Sequence, residues 1–320
     1  MERFMDLKGL LHLIGMKKYL LVLAIGLLTT FCASANRIDQ LSTDRQVAKF
    51  IISLDSTRLK PDRGSSFSIF STDEIALRLK PMKIDGVKNW QKVDFNKDGR
   101  TDLLVIAWWS GLNPFIAIDL GNEQYKLIRL NYGPGELEPA KVLETKAGPL
   151  LLFYTEKRFP GLKPFWGKDS VVRDTLIYKF DRFVNYNPRP KKIKIKSITF
   201  KTGGCYGNCP IFTVKVDRSG TANYESNDYY AKLKGRYHTE ITASDLKMLY
   251  AILNYTDFKR VDDHYNVPWT DDASCELTVN FSDKSTKNIS DYGEKGTYSL
   301  MAIYSWFFNL KLDEHWKKEY

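Results

Sequence analysis

The sequence predicts an α+β protein: an antiparallel β-rich N-terminal domain followed by a small α+β domain with a β-hairpin and two helices. Three observations carry this expectation. The 320 residues are 43% hydrophobic and 27% charged, the balance of a packed globular chain rather than a disordered or multi-span one. The 18 Tyr, 18 Phe and 7 Trp are interleaved with Val, Ile and Thr, side chains that suit a pleated surface better than a helical bundle. Helical spacing is confined to three short stretches, whereas strand-like runs between turn residues fill most of the rest. At this length two domains are the natural expectation.

The first segment reads as a targeting signal. Met16-Lys17-Lys18 precedes the apolar run Tyr19 to Leu28 and then Ala33-Ser34-Ala35, the positive start, short apolar core and small-residue exit of a secretory signal peptide. The run falls short of the roughly 20 apolar residues that span a bilayer, so residues 1–35 are expected to be removed, with Met1 and Met16 both open as the start. Cys32 leaves lipoprotein attachment as an alternative, against which stands the bulky Phe31, and membrane association is expected only if Cys32 is lipidated. The chain is thus read as exported, periplasmic or secreted, of bacterial envelope type. The formal charge of +10 becomes +8 without residues 1–35. Such an excess bears on solubility and on anionic surfaces rather than on fold, and export argues against nucleic acid as a partner. An oxidising compartment lets two of Cys205, Cys209 and Cys275 pair.

Residues 36–190 form the expected β-rich domain. Thr43 and Gln46 make a capping box, and Val47, Phe50, Ile51 and Leu54 follow at helical spacing. From Phe67 to about Tyr186, the runs Val105 to Trp108, Phe115 to Leu120, Tyr125 to Leu130, Leu150 to Tyr154 and Leu176 to Phe180 read as an antiparallel meander. Asn185 to Lys192, with two prolines in a polar stretch, reads as a linker, which places the boundary near Pro190. In residues 191–320, Ile193, Ile195, Ile198 and Phe200 start a strand. A Cys-rich turn follows, and Phe212 to Val216 pairs across Asp217-Arg218-Ser219-Gly220 with Thr221 to Glu225. One helix is expected from Thr242, capped with Asp245 and buried through Leu246, Leu249 and Leu253. A last helix, Ser299 to Leu310, shows Leu300, Ile303, Tyr304 and Phe307 on one face. No internal repeat of about 20–50 residues is present, which argues against a solenoid or a full propeller.

Two strings stand out chemically. Asp94-Phe95-Asn96-Lys97-Asp98-Gly99-Arg100-Thr101-Asp102 sets oxygen-bearing side chains at alternate positions around a glycine. Calcium takes about six to eight oxygen ligands, and this spacing wraps them around one point. Asp94, Asn96, Asp98 and Asp102 would supply side-chain oxygens and Arg100 its carbonyl. An EF-hand needs an acidic ligand at the twelfth position, here Val105, so the loop is not one. With Trp90 and Val93 leading in and Leu103 to Trp108 leading out as strands, it resembles a single calcium loop of FG-GAP and VCBS repeats over about 20 residues. The plainer alternative is a polar turn that binds nothing. A bound calcium would stiffen the hairpin; hydrolytic chemistry usually brings His or paired carboxylates with an open position.

The second string is Gly203-Gly204-Cys205-Tyr206-Gly207-Asn208-Cys209-Pro210. A turn that brings the two Cα atoms within about 7 Å lets Cys205 and Cys209 bridge, and the glycines make that turn accessible. With Gly220, Tyr224, the Thr242 helix, Tyr265 to Asp271 and Asp291-Tyr292-Gly293, the region from about Ile198 to Leu310 resembles the bacterial domain of unknown function 6438. The resemblance implies an α+β domain and no activity. Cys275 lies outside its pattern, so pairing of Cys275 with either turn cysteine stays open. Thiol–disulfide catalysis of the thioredoxin kind uses two intervening residues at a helix start, whereas this turn has three and precedes a hairpin. A zinc site would need further ligands, and His238 and His264 are not suitably spaced.

No nucleophile elbow, phosphate-binding Gly loop or His-Glu zinc helix is present. Thr270, Asp271 and Asp272 with Tyr265 form a polar cluster that could line a binding site or make an Asx turn. Phe159 to Gly167 carries Phe165 and Trp166 in a Pro/Gly loop, either a lid on the sheet or an aromatic anchor for a sugar or protein. Pro190 to Lys196 alternates lysines with apolar residues and could hold an anionic polymer. The expected function is a non-catalytic binding module with a calcium-stiffened β domain, its partner an envelope protein or polysaccharide. The rival is an envelope enzyme, either a thiol oxidoreductase at Cys205 and Cys209 or a hydrolase. Exposed aromatics would mark the first; a cleft holding Asp271 or a reactive, partly exposed cysteine would mark the second.

Overall fold

The chain is described from a computed structural model, which covers residues 36–59, 67–130, 137–146, 148–156, 171–228, 231, 233–258, 260–267, 269–313 and 315–319. The signal-type segment, Cys32, Phe165 and Trp166 lie outside the described residues.

Helix α1, Asp44–Leu54, starts at the capping box between Thr43 and Gln46 and buries Val47, Phe50 and Ile51. A second helix, α2, Thr72–Leu79, stands where the sequence suggested strands. Its Ser71–Glu74 capping box satisfies the N–H groups of Glu74 and Ser71, and Ile75 and Leu79, four residues apart, are buried. Pro81 then sits in a 3-10 turn, Lys80–Met82.

The expected meander is two successive four-stranded antiparallel sheets. The first is β1 (Trp90–Val93), β2 (Asp102–Trp108), β3 (Leu112–Gly121) and β4 (Gln124–Arg129), and the second is β5 (Ala140–Leu143), β6 (Leu150–Glu156), β7 (Val171–Lys179) and β8 (Arg182–Asn185). Both faces of β2 and β3 are covered. Leu103, Val105, Ala107, Phe115 and Ala117 pack under α1. Leu104, Ile106, Ile116 and Ile118 pack with α2 and with Leu151, Phe153 and Leu176 of the second sheet. A strand covered on both faces loses the polar alternation of a half-exposed one, which is why Leu103 to Ala107 is an unbroken apolar run.

Nine residues separate β8 from β9 (Ile195–Gly203). The third sheet has the order β13-β15-β14-β9-β10-β11-β12-β16, with β10 (Thr213–Asp217), β11 (Thr221–Ser226), β12 (Gly235–Glu240), β13 (His264–Asn266), β14 (Ser274–Phe281), β15 (Thr286–Tyr292) and β16 (Lys317–Lys318). All pairs are antiparallel except β13 with β15. Alternating burial in β10 and β11 gives the sheet one inner face. On it lie α3 (Ala243–Tyr255), capped by Thr242, and α4 (Tyr298–Asp313). Phe200 is central: its ring meets Phe212, Tyr304, Phe307 and Phe308 with centroids 4.9–6.0 Å away.

The start of α4 also touches the second sheet. The Ser299 N–H donates to Asn185 Oδ1 and the Asn185 N–H to Ser299 Oγ, and Tyr298 meets Phe153 edge to face at 5.7 Å.

Candidate functional site

The loop between β1 and β2 is wound on its own side chains. Asp94 accepts the N–H groups of Asp98 and Gly99, at 3.2 and 3.0 Å, and Asn96 Oδ1 accepts Asp98 N–H at 3.2 Å. Asp98 accepts the Arg100 N–H at 2.9 Å and the Asn96 amide at 2.7 Å, and the Arg100 guanidinium pairs with it. Lys97 and Gly99 take left-handed conformations. The aliphatic stem of Lys97 lies over Gly148, where a Cβ would collide with it, so the loop is seated on the β5–β6 turn.

Asp102 behaves differently from the other four proposed ligands. Fully buried, it accepts the N–H of Phe95 and of Asp119, both at 2.8 Å. Its carboxylate therefore clips the loop and β3 together at the head of β2. Burial pushes its pKa up to about 7, against the pull of those two hydrogen bonds. Asp94, Asn96 and Asp98 are thus brought together, with hard oxygen donors of the kind calcium takes, while Asp102 serves the backbone and Arg100 presents a guanidinium to Asp98. Among the described residues no three of His, Cys, Asp and Glu stand close enough to hold a metal ion.

The Cys205 and Cys209 sulfurs are at disulfide distance, with Cα atoms 5.6 Å apart, and Cys275 is free and buried. The turn they close leads into β10, so no helix N-terminus is available to stabilise a thiolate. Its tip, Tyr206, is 90% exposed, and its backbone N–H donates to the Asp271 carbonyl at 3.0 Å. That bond sets the turn beside the segment 269–273, where Trp269 is 38% exposed and its indole N–H donates to Asp272 at 2.9 Å. Asp271 holds a left-handed φ of 68° and is exposed. Ile211, at the far end of the turn, is 43% exposed and faces Gly204. Two aromatic tips, an aliphatic one and the carboxylate of Asp271 thus lie at one end of the third sheet, where β9 finishes and the neighbouring β10 and β14 begin; this end is the disulfide edge.

Behind that edge lies a small buried acidic group. Asp291, 1% exposed, accepts the N–H groups of Lys295 and Gly296, both at 2.7 Å. The Cys275 thiol contacts Glu294 Oε1 at 3.4 Å. Burial raises the pKa values of Asp291 and Glu294, and burial with the Glu294 charge pushes the Cys275 thiol well up. A thiol held this way stays protonated near neutral pH, the opposite of an activated nucleophile.

The histidines are local: His264 Nδ1 lies 2.8 Å from Ser290 Oγ and His238 Nδ1 3.7 Å from Glu319. Lys191, Lys192 and Lys194 are exposed on extended chain ahead of β9. Tyr206 and Trp269 carry no joint signature in the sequence, because each sits in a short polar turn some sixty residues from the other. The available signal was a large aromatic inside a five-residue disulfide turn, where no core can form around it.

Residues 196–311 match the family described as Domain of unknown function (DUF6438), a span that holds the disulfide turn, the Asp271 edge and the buried acidic group. No curated protein matches the chain.

Proposed function

We propose that this is an exported, non-catalytic binding protein that presents the disulfide edge to an envelope polysaccharide, on a β domain stiffened by calcium at Asp94–Asp102. The observation that carries the reading is Tyr206: 90% exposed, yet on a turn closed by the Cys205–Cys209 disulfide and bonded to Asp271. Exposing a large ring forgoes about 1.5–3 kcal/mol of burial, and a rigid mount lowers the entropy lost when that ring meets a ligand. With the half-exposed Trp269 of the adjoining segment as a second ring and the Asp271 carboxylate to accept hydroxyls, the edge offers the chemistry that recognises a sugar chain. Export rests on the segment Met16 to Ala35.

Calcium would be held by Asp94, Asn96 and Asp98 with the Arg100 carbonyl, while Asp102 stays with the two backbone N–H groups it accepts, and the ion would supply fixed positive charge rather than chemistry. A ligand that binds only the folded state at about 100 times its dissociation constant adds about 2.7 kcal/mol. Calorimetric unfolding with calcium and with chelator should therefore show a rise that Asp98→Ala abolishes; no shift at millimolar calcium removes the ion from the account. Against the enzyme reading stand the Cys205–Cys209 turn, which leads into a strand with no helix N-terminus to stabilise a thiolate, and the exposed position of Asp271. The edge itself is tested by pelleting with insoluble envelope polysaccharide, where Tyr206→Ala with Trp269→Ala should lose binding.

A further inference from the structure

A concavity among the described residues lies away from the disulfide edge. It has a volume of about 830 Å³ and lies among the segment 187–193, the residues after α3 and the β14–β15 turn. Its walls are anchored. The Asn187 side chain donates to the Tyr255 carbonyl at 2.8 Å and its N–H to Tyr255 Oη at 3.1 Å. The Ile193 N–H donates to Asn254 Oδ1, and the Lys194 carbonyl accepts from Ser282, both at 2.8 Å. Segment 187–194 is thus a strap fixed at both ends, and its Arg189 and Lys191 line the cleft. The floor is apolar, with Phe258 and Phe281 meeting edge to face at 6.3 Å beside Ile193.

The charge is unbalanced. Four cations, Arg189, Lys191, Arg260 and Lys287, line the cleft against two carboxylates, Asp257 and Asp283. Lys287 is engaged by Asp263 and by the Val261 carbonyl, and Asp283 by the N–H and hydroxyl of Ser285. Arg189, Lys191 and Arg260 are exposed and form no ion pair with any described residue. An aromatic floor below guanidinium and ammonium groups is complementary to a ligand with an apolar ring or chain and one negative charge.

We propose that this cleft binds a soluble amphipathic anion, an apolar ring or chain bearing a carboxylate, with Phe258 and Phe281 under the apolar part and Arg189, Lys191 and Arg260 around the charge. The site is separate from the disulfide edge, and its test does not depend on that edge. Calorimetric titration of the full chain with 2-naphthoate should show saturable single-site binding, about tenfold or more tighter than the uncharged 2-naphthamide. Joint reversal of the exposed cations, Arg189→Glu with Arg260→Glu, should weaken naphthoate by about tenfold or more, and Lys191→Glu alone should do so to a lesser degree, each with unfolding unchanged. Added salt should weaken naphthoate binding and leave naphthamide unaffected. Equal affinity for acid and amide, naphthoate affinity indifferent to both variants, or no saturable binding at millimolar naphthoate would each overturn the proposal. Binding to vesicles of anionic lipid without binding to naphthoate would overturn it too.

Discussion

Replacing Asp102 tests whether a buried carboxylate or an ion organises the head of β2. The side chain is fully buried, and its two oxygens accept the N–H groups of Phe95 and Asp119 at 2.8 Å each. Asp102→Ala leaves both donors inside the protein without partners, and each orphaned donor costs about 1–3 kcal/mol. Removing a carboxyl whose pKa burial has pushed up to about 7 relieves part of that loss. The net expectation is a destabilisation of about 2–4 kcal/mol. Asp102→Asn preserves shape but keeps one acceptor, and sets an amide N–H₂ against the second backbone N–H, so about 1–3 kcal/mol should still be lost. Urea unfolding in the presence of chelator, with m-values compared to exclude a changed denatured state, measures both. If the asparagine variant equals wild type, or the alanine variant lies within about 0.5 kcal/mol of it, the carboxylate is not the clip described above.

Other outcomes follow from the same structure. Joint replacement of Cys205 and Cys209 by serine opens a loop of sequence separation 4 and should cost about 2 kcal/mol by loop-closure entropy, with proteolysis appearing near Tyr206. Phe200→Ala, at the centre of the aromatic contacts beneath α4, should cost about 3–5 kcal/mol in chemical denaturation. Burial raises the folded pKa values of Asp174, Asp291 and Glu294. These groups therefore add nothing against folding below the ordinary carboxylate value of about 4, and stability is lost as pH climbs from there through their raised values. The unfolding midpoint should be higher at about pH 5.5 than at about pH 8, and Asp174→Asn should flatten the slope; a midpoint that rises with pH would contradict the burial argument. Native Cys275 should resist alkylation at neutral pH and react on unfolding.

Much of the architecture is legible in the sequence where local and tertiary preferences agree. Helix α1 is announced by its capping box and by apolar residues at helical spacing. Helix α2 carries a box of the same kind at Ser71 and Glu74, but only Ile75 and Leu79 are buried, and two positions do not establish a period. Strands β2, β3 and β6 stand out as apolar runs; β5 and β8, four residues each and containing Lys141 and Arg182, do not. For that reason the division of the meander into two sheets was hidden, since it depends on which face of Leu104 or Phe153 meets which neighbour. The candidate sites divide along the same line. The aspartate spacing and the cysteine pair are local and readable, whereas the inward turn of Asp102, the meeting of Tyr206 with Asp271 and the cleft under Arg189 come from long-range packing that no single stretch of sequence encodes.

The disulfide edge is proposed to bind an envelope polysaccharide without cleaving it. The most direct test is a pelleting assay of the full chain with insoluble envelope polysaccharide, in which the supernatant is also assayed for released reducing ends. Saturable pelleting is expected, weakened by about tenfold or more in Tyr206→Ala with Trp269→Ala, with no release of soluble sugar. Undiminished pelleting of the double variant, or steady release of reducing ends by the wild-type chain, would contradict it.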